Sequence, residues 1–229
     1  MKRIYYYFTK FEIGLWATSV LLILISFAVF GKRDYLTLIA SLVGATFLIF
    51  NAKGNPIGQF LTIVFSLMYG VISYRFSYFG EMITYLGMTM PMACFALVSW
   101  LKNPYENNKS QVKVNKLSKA EFIFMFMIAI IVTIVFYYIL KWFGTANLVL
   151  STLSVTTSFI AVYLTFRRSS YFALAYACND LVLIMLWILA SLEDTTYLSV
   201  VICFIVFIAN DLYGFINWIK MEKKQAINM

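Results

Sequence analysis

Eight apolar runs take up most of this chain, near residues 14–30, 35–50, 56–74, 81–101, 120–140, 146–165, 171–191 and 197–219. A helix rises about 1.5 Å per residue, so roughly 20 apolar residues cross a ~30 Å hydrocarbon layer. Backbone N–H and C=O groups find no water there, which leaves helices and closed β-barrels as the spanning structures. The ten-residue alternation of barrel strands is absent. The pattern predicts an all-α membrane protein with eight transmembrane helices.

Composition supports this: 62% of the 229 residues are hydrophobic and only 12% are charged. The first run lacks a small-residue cleavage site and leads into further spans, so it is read as retained. Cys94, Cys178 and Cys203 lie inside apolar runs without metal or redox spacing, which predicts small packing residues. With no histidine and no clustered cysteine, neither a metal centre nor a cofactor is expected. The net charge of +8 resembles a nucleic-acid signal until it is sorted by loop. Of the 18 basic residues, only Lys32, Arg33, Arg75 and Lys141 fall in one set of loops. The others, from Lys2, Arg3 and Lys10 through Lys53, Arg167 and Arg168 to Lys224, fall on the opposite side. Positive charge in short loops marks the cytoplasmic face, so both termini are expected in the cytoplasm of a plasma-membrane protein, with no nucleic-acid partner.

One long polar connector, "KNPYENNKSQVKVNKLSK" (102–119), divides two blocks that look alike. Laying 41–58, "SLVGATFLIFNAKGNPIG", over 154–171, "SVTTSFIAVYLTFRRSSY", aligns helix, polar loop and next helix without a gap. Both blocks close on Trp and a basic segment, "VSWLKN" (98–103) and "INWIKM" (216–221). Spans 2–4 then repeat as spans 6–8 in the same orientation, with one helix between and one in front. The expected organisation is a first helix within 1–34, a three-helix repeat over 35–101, a loop and linker helix over 102–145, a second repeat over 146–221 and a tail over 222–229. Parallel repeats of this kind place substrate near the midplane between them.

Polar residues inside the runs are the candidate site. A carboxylate at the centre of a span costs about 2.5–3.5 kcal/mol on insertion scales, so it faces a partner or a cavity. "ND" occurs twice, at Asn179–Asp180 and Asn210–Asp211, each roughly 12–13 Å from the basic end of its helix. Tyr176, Asp180 and Trp187 share one face of span 7; Asn210, Gly214 and Asn217 share one of span 8, with Tyr213 beside it. Gln59, Ser66 and Ser73 form a polar stripe on span 3. An amide, carboxylates and aromatic rings suit a flat ring bearing hydroxyls, while Ser66 and Ser73 are equally well read as interhelical glue. Trp100 and Trp218 are read either as interface anchors or as ligand contacts. The GxxxG spacing of "GNPIG" (54–58) lies at a loop edge and leaves a homo-oligomer open.

The stretches "FRRSSYFALAYACNDLVLIMLW" (166–187) and "NDLYGFINW" (210–218) resemble the PnuC family of vitamin transporters over residues 35–221. In the first repeat only the Trp of the corresponding motif is kept, in "ACFALVSW" (93–100). The resemblance implies a 3+1+3 fold like a full-length SWEET transporter, and facilitated diffusion of nicotinamide riboside drawn inward by phosphorylation. It also implies substrate contacts at Tyr176, Asp180 and Trp187 on span 7 and at Asn210, Tyr213 and Trp218 on span 8. Asn179, Asp211, Asn217 and Gln59 complete the candidate set from the residue pattern. Partners are then a small-molecule substrate and membrane lipid. Thiamine or riboflavin as substrate, proton coupling through Asp180 or Asp211, and intramembrane acid–base catalysis stand as alternatives; no nucleophile motif supports the last.

Overall fold

In the computed structural model the described residues are 7–30, 34–75, 78–106 and 108–227. Lys2, Arg3, Lys32 and Arg33, which enter the charge count above, lie outside them. Eight helices are long and apolar enough to cross a membrane. They are α1 (Lys10–Phe30), α2 (Tyr35–Ala52), α3 (Pro56–Arg75), α4 (Phe79–Lys102), α5 (Lys119–Trp142), α6 (Leu148–Phe166), α7 (Phe172–Ser191) and α8 (Leu198–Ile227). The chain is thus an all-α, multi-pass membrane protein.

Local sequence explains the helix ends. Thr9 and Glu12 form a capping box: the Thr9 N–H donates to Glu12 Oε2 at 2.6 Å and the Glu12 N–H to Thr9 Oγ1 at 3.2 Å. Asp34 caps α2 and Ser118 caps α5. The α8 helix runs about two turns past the expected span end at 219, carrying Gln225 on its buried side. The polar connector holds a short hairpin, β1 (Pro104–Tyr105) antiparallel to β2 (Asn108–Val112). Within α4 the segment Thr84–Thr89 is π-helical, a wider turn that re-aims side chains.

Six helices form a closed ring. In each half the middle helix packs on both neighbours' sides of the half, α3 on α2 and α4, α7 on α6 and α8; the halves meet where α4 packs on α6 and α8 on α2. α1 lies outside against α2 and α8, and α5 against α6. The two junctions share one hydrogen bond. Trp100 Nε1 at the end of α4 donates to the Thr165 carbonyl of α6 at 2.9 Å. Trp218 Nε1 of α8 donates to the Asn51 carbonyl of α2 at 2.8 Å. Both indoles are fully buried, with ring centroids 5.4 Å apart, so neither is an interface anchor.

The turns after α2 and α6 match as well. Gly54 (φ 67°) and Arg168 (φ 57°) take the left-handed conformation. The next N–H, of Asn55 or Ser169, reaches back to Phe50 O (3.0 Å) or Leu164 O (2.9 Å). This pairs Gly54 with Arg168, one residue further along than the gapless overlay of 41–58 on 154–171, which put Gly54 opposite Arg167. Arg168 Nη1 lies 3.3 Å from Ser99 Oγ, and partial burial, then the neighbouring Arg167, lowers its pKa from the ordinary arginine value.

Two further expectations change. Cys94 and Cys178 are exposed on the lipid-facing surface, and only Cys203 is packed inside. Ser66 and Ser73 are not interhelical glue: Ser66 Oγ donates to Thr62 O of its own helix at 2.8 Å, and Ser73 Oγ is buried with no partner.

Candidate functional site

The ring surrounds a small cavity of about 40 Å³. Its wall gathers Tyr176, Asn179 and Asp180 from α7, and Phe204, Phe207 and Asp211 from α8. The other helices add Phe47 and Leu48 of α2, Thr62 and Phe65 of α3, Tyr85 and Thr89 of α4, and Ser158 of α6. Asp180 and Asp211 are 5% and 4% exposed and interact directly with each other; Asp180 Oδ2 has no hydrogen-bond partner. Asn179 Oδ1 accepts from Thr157 Oγ1 at 2.7 Å and Ser158 Oγ at 3.0 Å, both of α6. No Lys or Arg lines the cavity among the described residues. Carboxyl groups so placed favour a cation, since an unpaired charge in hydrocarbon is costly.

The rest of the wall is aromatic. Phe65 meets Phe47, Tyr85 and Phe207 edge-on at centroid distances of 5.2, 6.0 and 6.0 Å. Edges and faces of such rings accept a flat ligand ring by stacking, worth about 1–3 kcal/mol per base-like ring. Gly44 holds this wall closed from behind: a Cβ there would overlap the Phe207 ring. Larger hollows of about 370 and 350 Å³ lie on the outside of the bundle, one edged by Lys53, Lys220 and Lys224 and one by Phe8, Trp16 and Phe50. The second also carries the buried Glu12, but that carboxylate is already paired with Lys53, and neither hollow brings two buried carboxylates together.

Of the ten residues singled out from the sequence, Tyr176, Asn179, Asp180 and Asp211 line the cavity. The others stand elsewhere. Gln59 Nε2 donates to Asn51 Oδ1 at 2.9 Å. Asn210 Nδ2 donates to Ser19 Oγ and to Val206 O, each at 2.9 Å, tying α8 to α1. Tyr213 OH donates to Glu12 Oε1 at 2.8 Å, and Asn217 Nδ2 to Ala52 O at 2.7 Å. Trp218 makes the junction bond to Asn51. Trp187 lies nearer the end of the bundle opposite the termini, in a small hollow with Tyr78, Glu81, Thr145, Ser151 and Leu186.

Several residues escaped the sequence reading. The box of Phe47, Phe65, Phe204 and Phe207 was hidden among 22 phenylalanines, although Phe204, Phe207 and Asp211 sit at i, i+3 and i+7 on one face. Asn51 falls just past the expected end of span 2 at residue 50, yet it makes three hydrogen bonds between helices. Glu12 was invisible as a buried group; it accepts from Lys53 Nζ at 3.0 and 3.1 Å as well as from Tyr213. Glu81 is the one carboxylate between Tyr35 and Leu101, a signal that was available.

Comparison with known proteins agrees with this architecture. A crystal structure of the vitamin B3 transporter PnuC matches the fold with a TM-score of 0.83, at 23% identity, over 95% of this chain and 94% of that one. The nicotinamide riboside transporter PnuC of Neisseria mucosa is 26% identical over 223 residues, 95% of this chain and 84% of its own length. The nicotinamide riboside transporter PnuC of Haemophilus influenzae is 21% identical over 192 residues, 83% and 82% of the two chains. The family model for the nicotinamide mononucleotide transporter matches residues 34–220, the six-helix ring together with α5. The chain therefore belongs to the nicotinamide mononucleotide transporter family.

Proposed function

We propose that the protein carries nicotinamide riboside across the cell membrane by facilitated diffusion, with both termini cytoplasmic and phosphorylation of the arriving nucleoside drawing uptake. The observation that carries this reading is the pair Asp180–Asp211, buried among aromatic rings with no basic residue on the cavity wall. The pyridinium of nicotinamide riboside supplies the missing positive charge, the rings stack on it, and Tyr176 and Asn179 are suited to its hydroxyl and amide groups. The same carboxylates speak against the mononucleotide, whose phosphate would meet them without a counter-ion. Riboflavin brings no ring cation. Thiamine does, and the names of the two relatives favour nicotinamide riboside over it.

The two halves are proposed as a duplicated three-helix unit. The paired Trp bonds and the matched turns at Gly54 and Arg168 support that reading. Small-molecule sites generally occupy about 300–1,000 Å³, so the 40 Å³ cavity must widen around a ligand and the conformation described is a closed one. Gln59, Asn217 and Trp218 are proposed as residues that hold helices at the cavity wall, and Asn210 and Tyr213 as residues that hold α8 against α1, none of them touching substrate.

Reconstitution tests the reading. In liposomes without a kinase, labelled nicotinamide riboside is expected to reach equal concentrations inside and out, with the endpoint unmoved by a pH or sodium gradient. Unlabelled nicotinamide riboside should compete for this flux, and the mononucleotide and riboflavin should not. Accumulation driven by either gradient would make the protein a symporter, and competition by thiamine alone would reassign the substrate. Topology is tested separately: reporters at residue 229 and within 102–119 should both respond as cytoplasmic, and a signal from the other side at either place overturns the orientation.

A further inference from the structure

Besides Glu12, which is paired with Lys53, one more buried carboxylate among the described residues has no part in the cavity. Glu81 stands in the first turns of α4, 6% exposed, with one hydrogen bond, from Ser154 Oγ of α6 at 3.0 Å. Among the described residues no Lys or Arg lines the hollow it shares with Trp187 and Tyr78. Other polar atoms there are poorly satisfied: Thr145 Oγ1 is buried and unbonded, and Trp187 Nε1 and, one ring further in, Tyr69 Oη are buried and approach each other without a well-formed hydrogen bond. Buried polar groups left unpaired cost about 1–3 kcal/mol each, so a cluster of them beside a carboxylate marks a place that another group fills in part of the working cycle.

The hollow is aromatic on its open side. Trp187 meets Tyr78 edge-on at 5.1 Å and lies tilted against Tyr197 at 5.5 Å. Tyr78 lies between spans, and burial, then Tyr197, raises its pKa to about 12, so it remains a neutral phenol and hydrogen-bond donor. On the inner side Tyr69 meets Trp187 edge-on at 6.3 Å and lies against Tyr85 at 4.4 Å. Tyr85 in turn lines the central cavity. Two tyrosines therefore separate Glu81 from Asp180 and Asp211. Tyr85 also lies in the π-helical turn Thr84–Thr89, a kind of local widening that recurs at functional sites.

We propose that Glu81 is an outer cation station on the substrate route: it holds the positively charged ring against Trp187 and Tyr78 before the Tyr69–Tyr85 pair parts to admit it to Asp180 and Asp211. Cation attraction to the faces of Trp and Tyr adds to the carboxylate's pull. The station selects for charge at the outer mouth, while hydroxyl and amide groups are read at the central cavity. This inference rests on nicotinamide riboside being carried.

Uptake of two probes by reconstituted protein tests it: labelled nicotinamide riboside, and its 1,4-dihydro form, which has nearly the same shape but an uncharged ring. Glu81→Gln is expected to raise KM for the cationic probe about tenfold, with little change in kcat, and to leave KM for the neutral probe within about twofold. Glu81→Asp should restore most of the preference. Ser154→Ala, which removes the hydrogen bond and keeps the carboxylate, should retain it. Should Glu81→Gln not fold, as judged from its thermal unfolding, Trp187→Leu must lower the same cation-to-neutral ratio. Equal changes for both probes, or an unchanged KM for the cation, overturn the station. Failure of the unsubstituted protein to carry nicotinamide riboside overturns the functional reading and the station with it, and is seen before any variant is made.

Discussion

Asp180→Asn is expected to weaken nicotinamide riboside binding by about 2–5 kcal/mol, roughly 30- to 4,000-fold, while the protein still inserts and folds. Asn keeps the shape of the side chain and removes its charge, so the loss isolates electrostatics from packing. Asp211→Asn should act in the same direction. The two carboxyl groups interact directly, so their effects are coupled. Two carboxylates side by side repel when both are ionised, and a cation between them relieves that repulsion. Losing one leaves the other to face the ligand alone, and the double variant should lose less than the sum of the two single losses. Isothermal titration of purified variants measures all three values. Wild-type affinity in both single variants would mean that the pair is held for packing and that the ligand sits elsewhere.

Glu12→Ala is expected to lower the unfolding temperature by about 6–20 °C. The carboxylate is 1% exposed and accepts from the Thr9 N–H, Lys53 Nζ and Tyr213 OH together. Removing one member of a buried ion pair costs about 3–5 kcal/mol because the other charge is stranded. For a chain of this length each kcal/mol moves the midpoint by roughly 2–4 °C. Glu12→Ala with Lys53→Ala should recover part of the loss, since no lone cation is then left. Tyr213→Phe should cost less, about 1 kcal/mol, and leave ligand affinity unchanged, which separates its place on α1 from a ligand contact. A midpoint shift below about 2 °C for Glu12→Ala would show that lipid or detergent substitutes for the cluster. Thermal unfolding in detergent, followed by intrinsic fluorescence, reads each case.

The spans were legible because hydrocarbon enforces them: a stretch such as 120–140 has one viable structure in lipid. Asp180 and Asp211 were legible for the same reason, since each breaks a run where a charge is expensive. Their neighbours were not. Asn210 and Tyr213 share the motif with Asp211, yet one helical turn decides which side chains meet the cavity and which meet α1. Sequence spacing alone does not fix that rotation. Glu12 illustrates a different limit. A capping box explains an acidic residue at a helix start, so nothing in the local pattern asks for Lys53, 41 positions away, or for Tyr213, 201 away. Phe204 and Phe207 were hidden by abundance, because apolar residues in an apolar chain carry little information about which way they face.

The Trp218–Asn51 bond also bears on how the chain is made. Its acceptor precedes its donor by 167 residues. At a synthesis rate of ~5–20 residues per second, α2 waits about 10–30 s in the bilayer before α8 exists to close against it. The same delay applies to Asn210 on Ser19, 191 positions apart. Throughout that interval the buried edges of α1 and α2, with Glu12 among them, have only lipid, water or the insertion machinery for company. Of the eight described helices α8 is made after the other seven, and it packs on α1, α2 and α7, so its arrival completes the ring in a single late step. Quality control during biogenesis therefore has one informative moment: a ribosome that stops short of Trp218 releases a chain whose first-made helices are inserted and still unsealed.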